Sequence, residues 1–125
     1  MILVDSSGWI EYYSAGPLAS VYAKYVERPR ETVIPSIVIY EVYKKLKQAR
    51  SEPEALSAVA AMQQGKIIPL TNELALIAAD YSLQHQLAMA DAIVYATGIQ
   101  ERVSIITSDK DLKGLPGVLF YGKSS

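Results

Sequence analysis

Four carboxylates stand where an acid is conspicuous or costly: Asp5, Glu41, Asp91 and Asp109. Asp5 follows the apolar run Ile2-Leu3-Val4, and Asp109 follows Val103 to Thr107 after one serine. Both are ends of short strand-like runs, where aspartate caps a turn as readily as it performs chemistry. Glu41 is less ordinary. On a helix its neighbours at i−4 and i−3 are Ile37 and Val38, with Lys44 and Lys45 at i+3 and i+4. A carboxylate beside a buried apolar stripe costs several kcal/mol unless compensated. An exposed pair with Lys45 would return only about 0.3–0.5 kcal/mol. Asp91 has Leu87, Ala88, Val94 and Tyr95 as helical neighbours, none of which compensates its charge. Its alternative is a first-turn position facing the positive end of the helix dipole. Asp80 is the counterexample, with Leu76, Ile77 and Leu83 around it. It falls in mid-helix, far from any strand end, and reads as solvent-facing or at a helix interface.

If the four acids shared one site, at about 6 Å and an effective dielectric near 20, each pair would repel by roughly 3 kcal/mol. Some must then protonate, or a divalent cation must bind. Hard oxygen ligands suit Mg2+ or Mn2+. The chain has no cysteine, which excludes a disulfide framework, a thiolate zinc site and an iron–sulfur cluster. Its one histidine, His85, is too few for a typical zinc site. A lone histidine near a helix end reads as structural or exposed rather than as a general acid.

Short apolar runs and longer helical patterns alternate and would position these acids. The strand-like runs are Ile2-Leu3-Val4, Thr32-Val33-Ile34, Lys66-Ile67-Ile68, Val103 to Ile106 and Val118-Leu119-Phe120. Consecutive apolar and β-branched residues predict strands covered on both faces. Helices are predicted over Ser7 to Tyr13, Leu18 to Arg28 behind Pro17, and Ser36 to Arg50 with Ser36 as cap. Three more are predicted from Pro53 to near Gly65, from a capping Asn72 to Gln86, and from Met89 to Arg102. Alternation of this kind implies crossover connections and a five-stranded, mostly parallel sheet in an α/β fold. Chemistry in such a sheet lies beyond the carboxyl ends of the strands.

The 125 residues suit one domain, 1–125, without repeats or linkers. The net charge of −1 and pI of about 5.8 argue against a broad basic nucleic-acid face, so any such contact must be local or cation-mediated. Asp5 comes too early for a signal peptide, and no apolar run approaches the ~20 residues that span a bilayer. These features lead us to expect a soluble, cytoplasmic protein without membrane contact.

The acidic motifs resemble the PIN-domain family, and within it the VapC toxins of bacterial and archaeal toxin–antitoxin pairs. The resemblance covers essentially the whole chain. Ile2 to Ser7 resembles the opening strand with its first acid, Asp5. Val38-Ile39-Tyr40-Glu41-Val42 resembles the helix that carries the glutamate. Leu87 to Val94 resembles the L-x-x-A-D-A helix, with its acid at Asp91. Ile106 to Leu112 resembles the T-x-D-x-D-F turn, with its acid at Asp109 and leucine where phenylalanine is usual. Each motif is weak alone, and the four in order are fairly specific. The resemblance implies a three-layer αβα, Rossmann-like fold and metal-dependent endoribonuclease activity. It also implies a homodimer and inhibition by a cognate VapB-like antitoxin near the acidic pocket. Asp5, Glu41, Asp91 and Asp109 would be catalytic and metal-binding, with Ser7, Thr107 and Asp111 in support.

Lys110 and Lys113 lie beside Asp109 in sequence and could touch RNA phosphates, with loop solvation an equal alternative. Lys44, Lys45, Lys47 and Arg50 could form an RNA-contacting face but read better as a solvated helix surface. Nine tyrosines against one phenylalanine suggest a dimer or antitoxin surface on the early helices, or equally a semi-buried core edge. Three rivals stay open: a phosphoacceptor receiver domain, a non-catalytic interaction module of the same fold, and a DNA-directed nuclease.

Overall fold

The fold was read from a computed structural model, which describes residues 1–123. Strand β1 (Ile2–Val4) leads into helices α1 (Ser6–Tyr13) and α2 (Ala19–Val26). Strand β2 (Thr32–Pro35) is followed by α3 (Ser36–Ala49) and α4 (Glu52–Met62), then β3 (Lys66–Ile68) by α5 (Asn72–His85) and α6 (Met89–Glu101). Strand β4 (Ser104–Thr107), a 3-10 turn (Lys110–Leu112) and β5 (Val118–Phe120) complete it.

All four strand pairings are parallel, in the order β3-β2-β1-β4-β5. The expected α/β architecture is therefore present. A receiver domain would instead run 2-1-3-4-5. Leu3, Val4, Val33, Ile34, Ile105 and Ile106 are buried at consecutive positions, so the central strands are covered on both faces. β3 departs from that expectation. It is an edge strand, and Lys66 and Ile67 are exposed.

The helix starts fall within a residue of the sequence reading, but the two caps assigned there are different residues. Thr71, not Asn72, caps α5, its side chain accepting from the Leu74 amide at 3.1 Å. Ser36 is the first helical residue of α3 rather than its cap, and its hydroxyl donates to the Ile68 carbonyl at 3.3 Å. Local sequence signals rank neighbouring cap residues poorly, because a one-residue shift is decided by the strand feeding the helix. Ser51 caps α4, with Pro53 in its first turn.

Helix α6 is the innermost, with every residue from Ala92 to Gly98 buried. Its approach to β4 depends on Gly98, because a Cβ there would overlap the buried Ile105 side chain. Among the described residues no helix is long and apolar enough to cross a membrane. Replacing Gly98 by valine should drive α6 away from β4 and destabilise the fold by about 2 kcal/mol or more, as overpacking does. Thermal or urea unfolding would measure it, and an unchanged midpoint would contradict the close packing.

Candidate active site

Strands are added on one side of β1 as far as β3, and the chain then crosses to place β4 on the other side. This reversal opens a crevice beyond the carboxyl ends of β1 and β4, where side chains from both sides can converge. Val4 pairs with Ile106, and the Asp5 amide continues the ladder by donating to the Ile106 carbonyl at 2.9 Å. Asp5 and the Thr107-Ser108-Asp109 segment therefore meet at the switch point.

Asp5 is 3% exposed and caps α1. Its Oδ1 accepts from the Ser6 amide at 2.8 Å, and its Oδ2 accepts from Thr107 Oγ1 at 2.8 Å. The Ser7 hydroxyl lies 3.4 Å from Oδ2 and 3.3 Å from Thr107 Oγ1, and accepts from the Ser108 amide at 3.0 Å. Thr107 Oγ1 also accepts from the Asp109 amide at 2.9 Å. Asp109 caps the following 3-10 turn, with Oδ1 accepting from the Asp111 amide at 2.9 Å. Hydroxyls and amides thus orient two carboxylates without a basic side chain.

The other acids arrive on helices. Asp91 is in the first turn of α6. Asp91, Asp109 and Asp111 each present a carboxylate oxygen within 4.8 Å of the other two. Burial, then a hydrogen bond shared with Asp109, then the charges of Asp109, Asp5 and Asp111 push the Asp91 carboxyl up to about 8. The favourable dipole of α6 is therefore outweighed. Burial also raises Asp5, opposed mainly by the Thr107 and Ser6 hydrogen bonds. Glu41, half-buried on α3, is raised by burial and then by the charge of Asp5, with Ser6 partly offsetting this. Among the described residues none of the five acids makes an ion pair, so the Glu41–Lys45 pair considered from sequence is not formed.

The structure therefore joins Glu41 and Asp91 into one group through Asp5 and Asp109, whose charges act on both. Asp111, held as secondary from sequence, presents a carboxylate oxygen within 4.8 Å of those of Asp91 and Asp109. Ser7 and Thr107 touch Asp5, while Lys110 and Lys113 are exposed on the turn that follows Asp109, the Lys113 ammonium 5.0 Å from the Phe120 ring centre. Leu112 is fully buried behind the turn. Asp80 is exposed. His85 stacks on Tyr81 and meets Tyr95 edge-on at 5.7 Å, a packing role. Sequence reasoning missed Ser6, Ser108 and Tyr22, whose phenol lies 2.6 Å from the Ser108 hydroxyl. The run of serines after Asp5 was the available signal for Ser6, whereas nothing local marks Tyr22.

An all-oxygen, five-carboxylate pocket has the donor chemistry of a hard divalent cation. Its mutual repulsion is the kind that such an ion removes. The acidic group fits metal binding.

Comparison with curated proteins returned no match, whereas solved structures do match. A toxin–antitoxin complex from Klebsiella pneumoniae is 26% identical with a TM-score of 0.82, covering 98% of this chain and 100% of that one. Mycobacterium tuberculosis VapC20, described as a sarcin–ricin loop cleaving toxin, gives 18% and 0.75 over 90% and 92% of the two chains. VapBC2 from Rickettsia felis, bound to a DNA fragment from its promoter, gives 16% and 0.71 over 98% of each. The last two show likeness of fold. Residues 2–118 match the PIN domain, and with that extent of agreement the chain belongs to the PIN domain family.

Proposed function

We propose that this chain is a metal-dependent endoribonuclease, the toxin of a VapBC-type toxin–antitoxin pair. The observation that carries the reading is the convergence of Asp91, Asp109 and Asp111 within 4.8 Å, beside Asp5 and Glu41 and without a basic partner among the described residues. The fold shared with Mycobacterium tuberculosis VapC20, a sarcin–ricin loop cleaving toxin, supports this choice of substrate. The Klebsiella complex supports a cognate antitoxin as the partner. A homodimer acting in the cytoplasm as one domain completes the proposal.

Asp5, Glu41, Asp91 and Asp109 would hold Mg2+ or Mn2+, with Asp111 close enough to join them. When bound, the ion supplies Lewis acidity, making water a competent nucleophile near neutral pH and offsetting charge on the phosphoryl oxygens. The protein's part is preorganisation. Thr107, Ser7 and the Ser6 amide fix Asp5 in a single orientation, and the Asp111 amide fixes Asp109. The crowding that pushes the Asp91 carboxyl up to about 8 would couple binding of the cation to loss of a proton from the pocket. Lys110 and Lys113, on the exposed turn, would meet phosphates on either side of the scissile bond.

Mn2+ should raise the melting temperature, because it binds the folded state. Asp91→Asn and Asp109→Asn should each remove most of that rise and lower RNA cleavage by roughly 100-fold or more, as loss of positioned charge does. A full Mn2+ shift retained by both variants would contradict the assignment.

The pH dependence follows from the same charges. The Asp91 carboxyl is pushed up to about 8 in the fold from the ordinary aspartate value of 3.8, so the folded state binds the extra proton in between. Stability of the metal-free protein must therefore be greatest at low pH and fall as pH rises from about 4 through about 8. Asp5 and Glu41, both raised, act in the same direction. Urea titrations in EDTA at pH 5.5 and 8 should show the loss, and Asp91→Asn should reduce it. Greater metal-free stability at pH 8 would contradict the crowding of acids.

A further inference from the structure

Beyond the acids, α3 presents an exposed face whose chemistry that centre does not use. Tyr40 is 57% exposed and Tyr43 is partly buried. One turn further along the helix from each is a lysine. The Lys44 ammonium lies 5.5 Å from the Tyr40 ring centre, and the Lys47 ammonium lies 5.4 Å from that of Tyr43. Each ammonium also donates to the phenol oxygen of its tyrosine at 3.3 Å. Two cavities open along this face. One, of about 400 Å³, is lined by Tyr40, Tyr43, Lys44, Lys47 and Gln48. The other, of about 330 Å³, shares Tyr40, Lys44 and Gln48, adds Lys45, and reaches Ser6 and Glu41. The face is thus continuous with the acidic pocket.

We propose that this face, Tyr40, Tyr43, Lys44, Lys45 and Lys47, is the track that holds single-stranded RNA on one side of the cleaved phosphate. The proposal rests on the ribonuclease reading above and names the strand's path at that same site. Single strands are bound by aromatic rings on which bases stack, combined with cations that follow the backbone. Both components stand here on one helix, each tyrosine followed one turn later by a lysine. Lys44 and Lys45 enter no ion pair among the described residues, while Lys47 shares its charge with Glu52 at 3.7 Å. Two uncommitted cations therefore stand next to a site whose own charge repels a polyanion. An acidic peptide would satisfy the lysines but leave the exposed tyrosine ring without a role, so RNA is the better fit. A merely solvated helix surface would give the lysines no reason to line a cavity that ends at Glu41.

The test uses the whole chain in an Asp91→Asn background, so that binding is read without cleavage. The probe is a fluorescein-labelled single-stranded RNA of randomised sequence, followed by anisotropy. Lys44→Gln with Lys45→Gln should weaken binding about tenfold at low salt and reduce the log–log salt slope by about 1.4, near 0.7 for each lost phosphate contact. Tyr40→Ala should cost about tenfold, and Tyr40→Phe, which keeps the stacking face, should bind like the parent. Melting temperatures near that of the parent would show the variants folded, and a variant that melts early is replaced by Lys45→Gln alone. RNA binding unchanged in all of them overturns the proposal. So does weaker binding of poly-glutamate with RNA binding retained. In the chain with Asp91 intact, RNA cleavage at unaltered KM in the lysine variant would sink the track while leaving the nuclease reading in place. No RNA binding or cleavage by any form would sink both.

Discussion

Carboxylates crowded into one half-buried pocket repel one another, and the rest of this protein is arranged to withstand that repulsion. No arginine or lysine neutralises the acids among the described residues. Instead Asp5, nearly inaccessible to water, is held by the hydroxyls of Thr107 and Ser7 and the amide of Ser6. Neutral donors are the only stabilisers that leave the pocket's negative charge available to a cation. A salt bridge would stabilise the apo protein better and would compete with the ion. The cost is visible at Asp91, whose proton affinity rises until the carboxyl is neutral near physiological pH.

The fold supplies the mechanical side of the bargain. Asp5 and Asp109 are fixed by the β1–β4 pairing, the part of the sheet least able to slide because both strands are buried on both faces. Asp91 is carried on α6, wrapped in core over seven consecutive residues. Glu41 comes from α3, whose Val38, Val42 and Leu46 are fully buried, and its carboxylate feels the charges of Asp5 and Asp109. Each acid is therefore anchored by apolar packing within a turn of its own Cα. Destabilised side chains are tolerated at a site when their backbone is held by contacts elsewhere.

The tyrosines illustrate how one residue type is divided between two tasks. Tyr22 is fully buried, packed close to Gly8, and its phenol meets the hydroxyl of Ser108, whose backbone amide donates to the Ser7 hydroxyl. Tyr25 and Tyr121 share a hydrogen bond at 2.9 Å, with Lys24 over both rings. These belong to the edge of the core. Tyr40 alone among the early-helix tyrosines is largely exposed. Composition counted them together, and burial separates them.

By itself the sequence determined the alternation of strands and helices, the placement of Asp5 and Asp109 at strand ends, and the mismatch of Glu41 and Asp91 with their apolar neighbours. Those are local properties: periodicity, and the cost of a charge beside hydrocarbon, are legible within a few residues. Strand order, the exposed edge at β3 and the choice of Thr71 over Asn72 were decided by tertiary structure, because each depends on which distant segment packs alongside. The same is true of Asp111. The resemblance gave it only a supporting role, and it is the arrival of α6 from elsewhere in the chain that puts Asp91 next to it. Distances between side chains far apart in sequence are set by packing of the whole sheet, and no short window of residues encodes them.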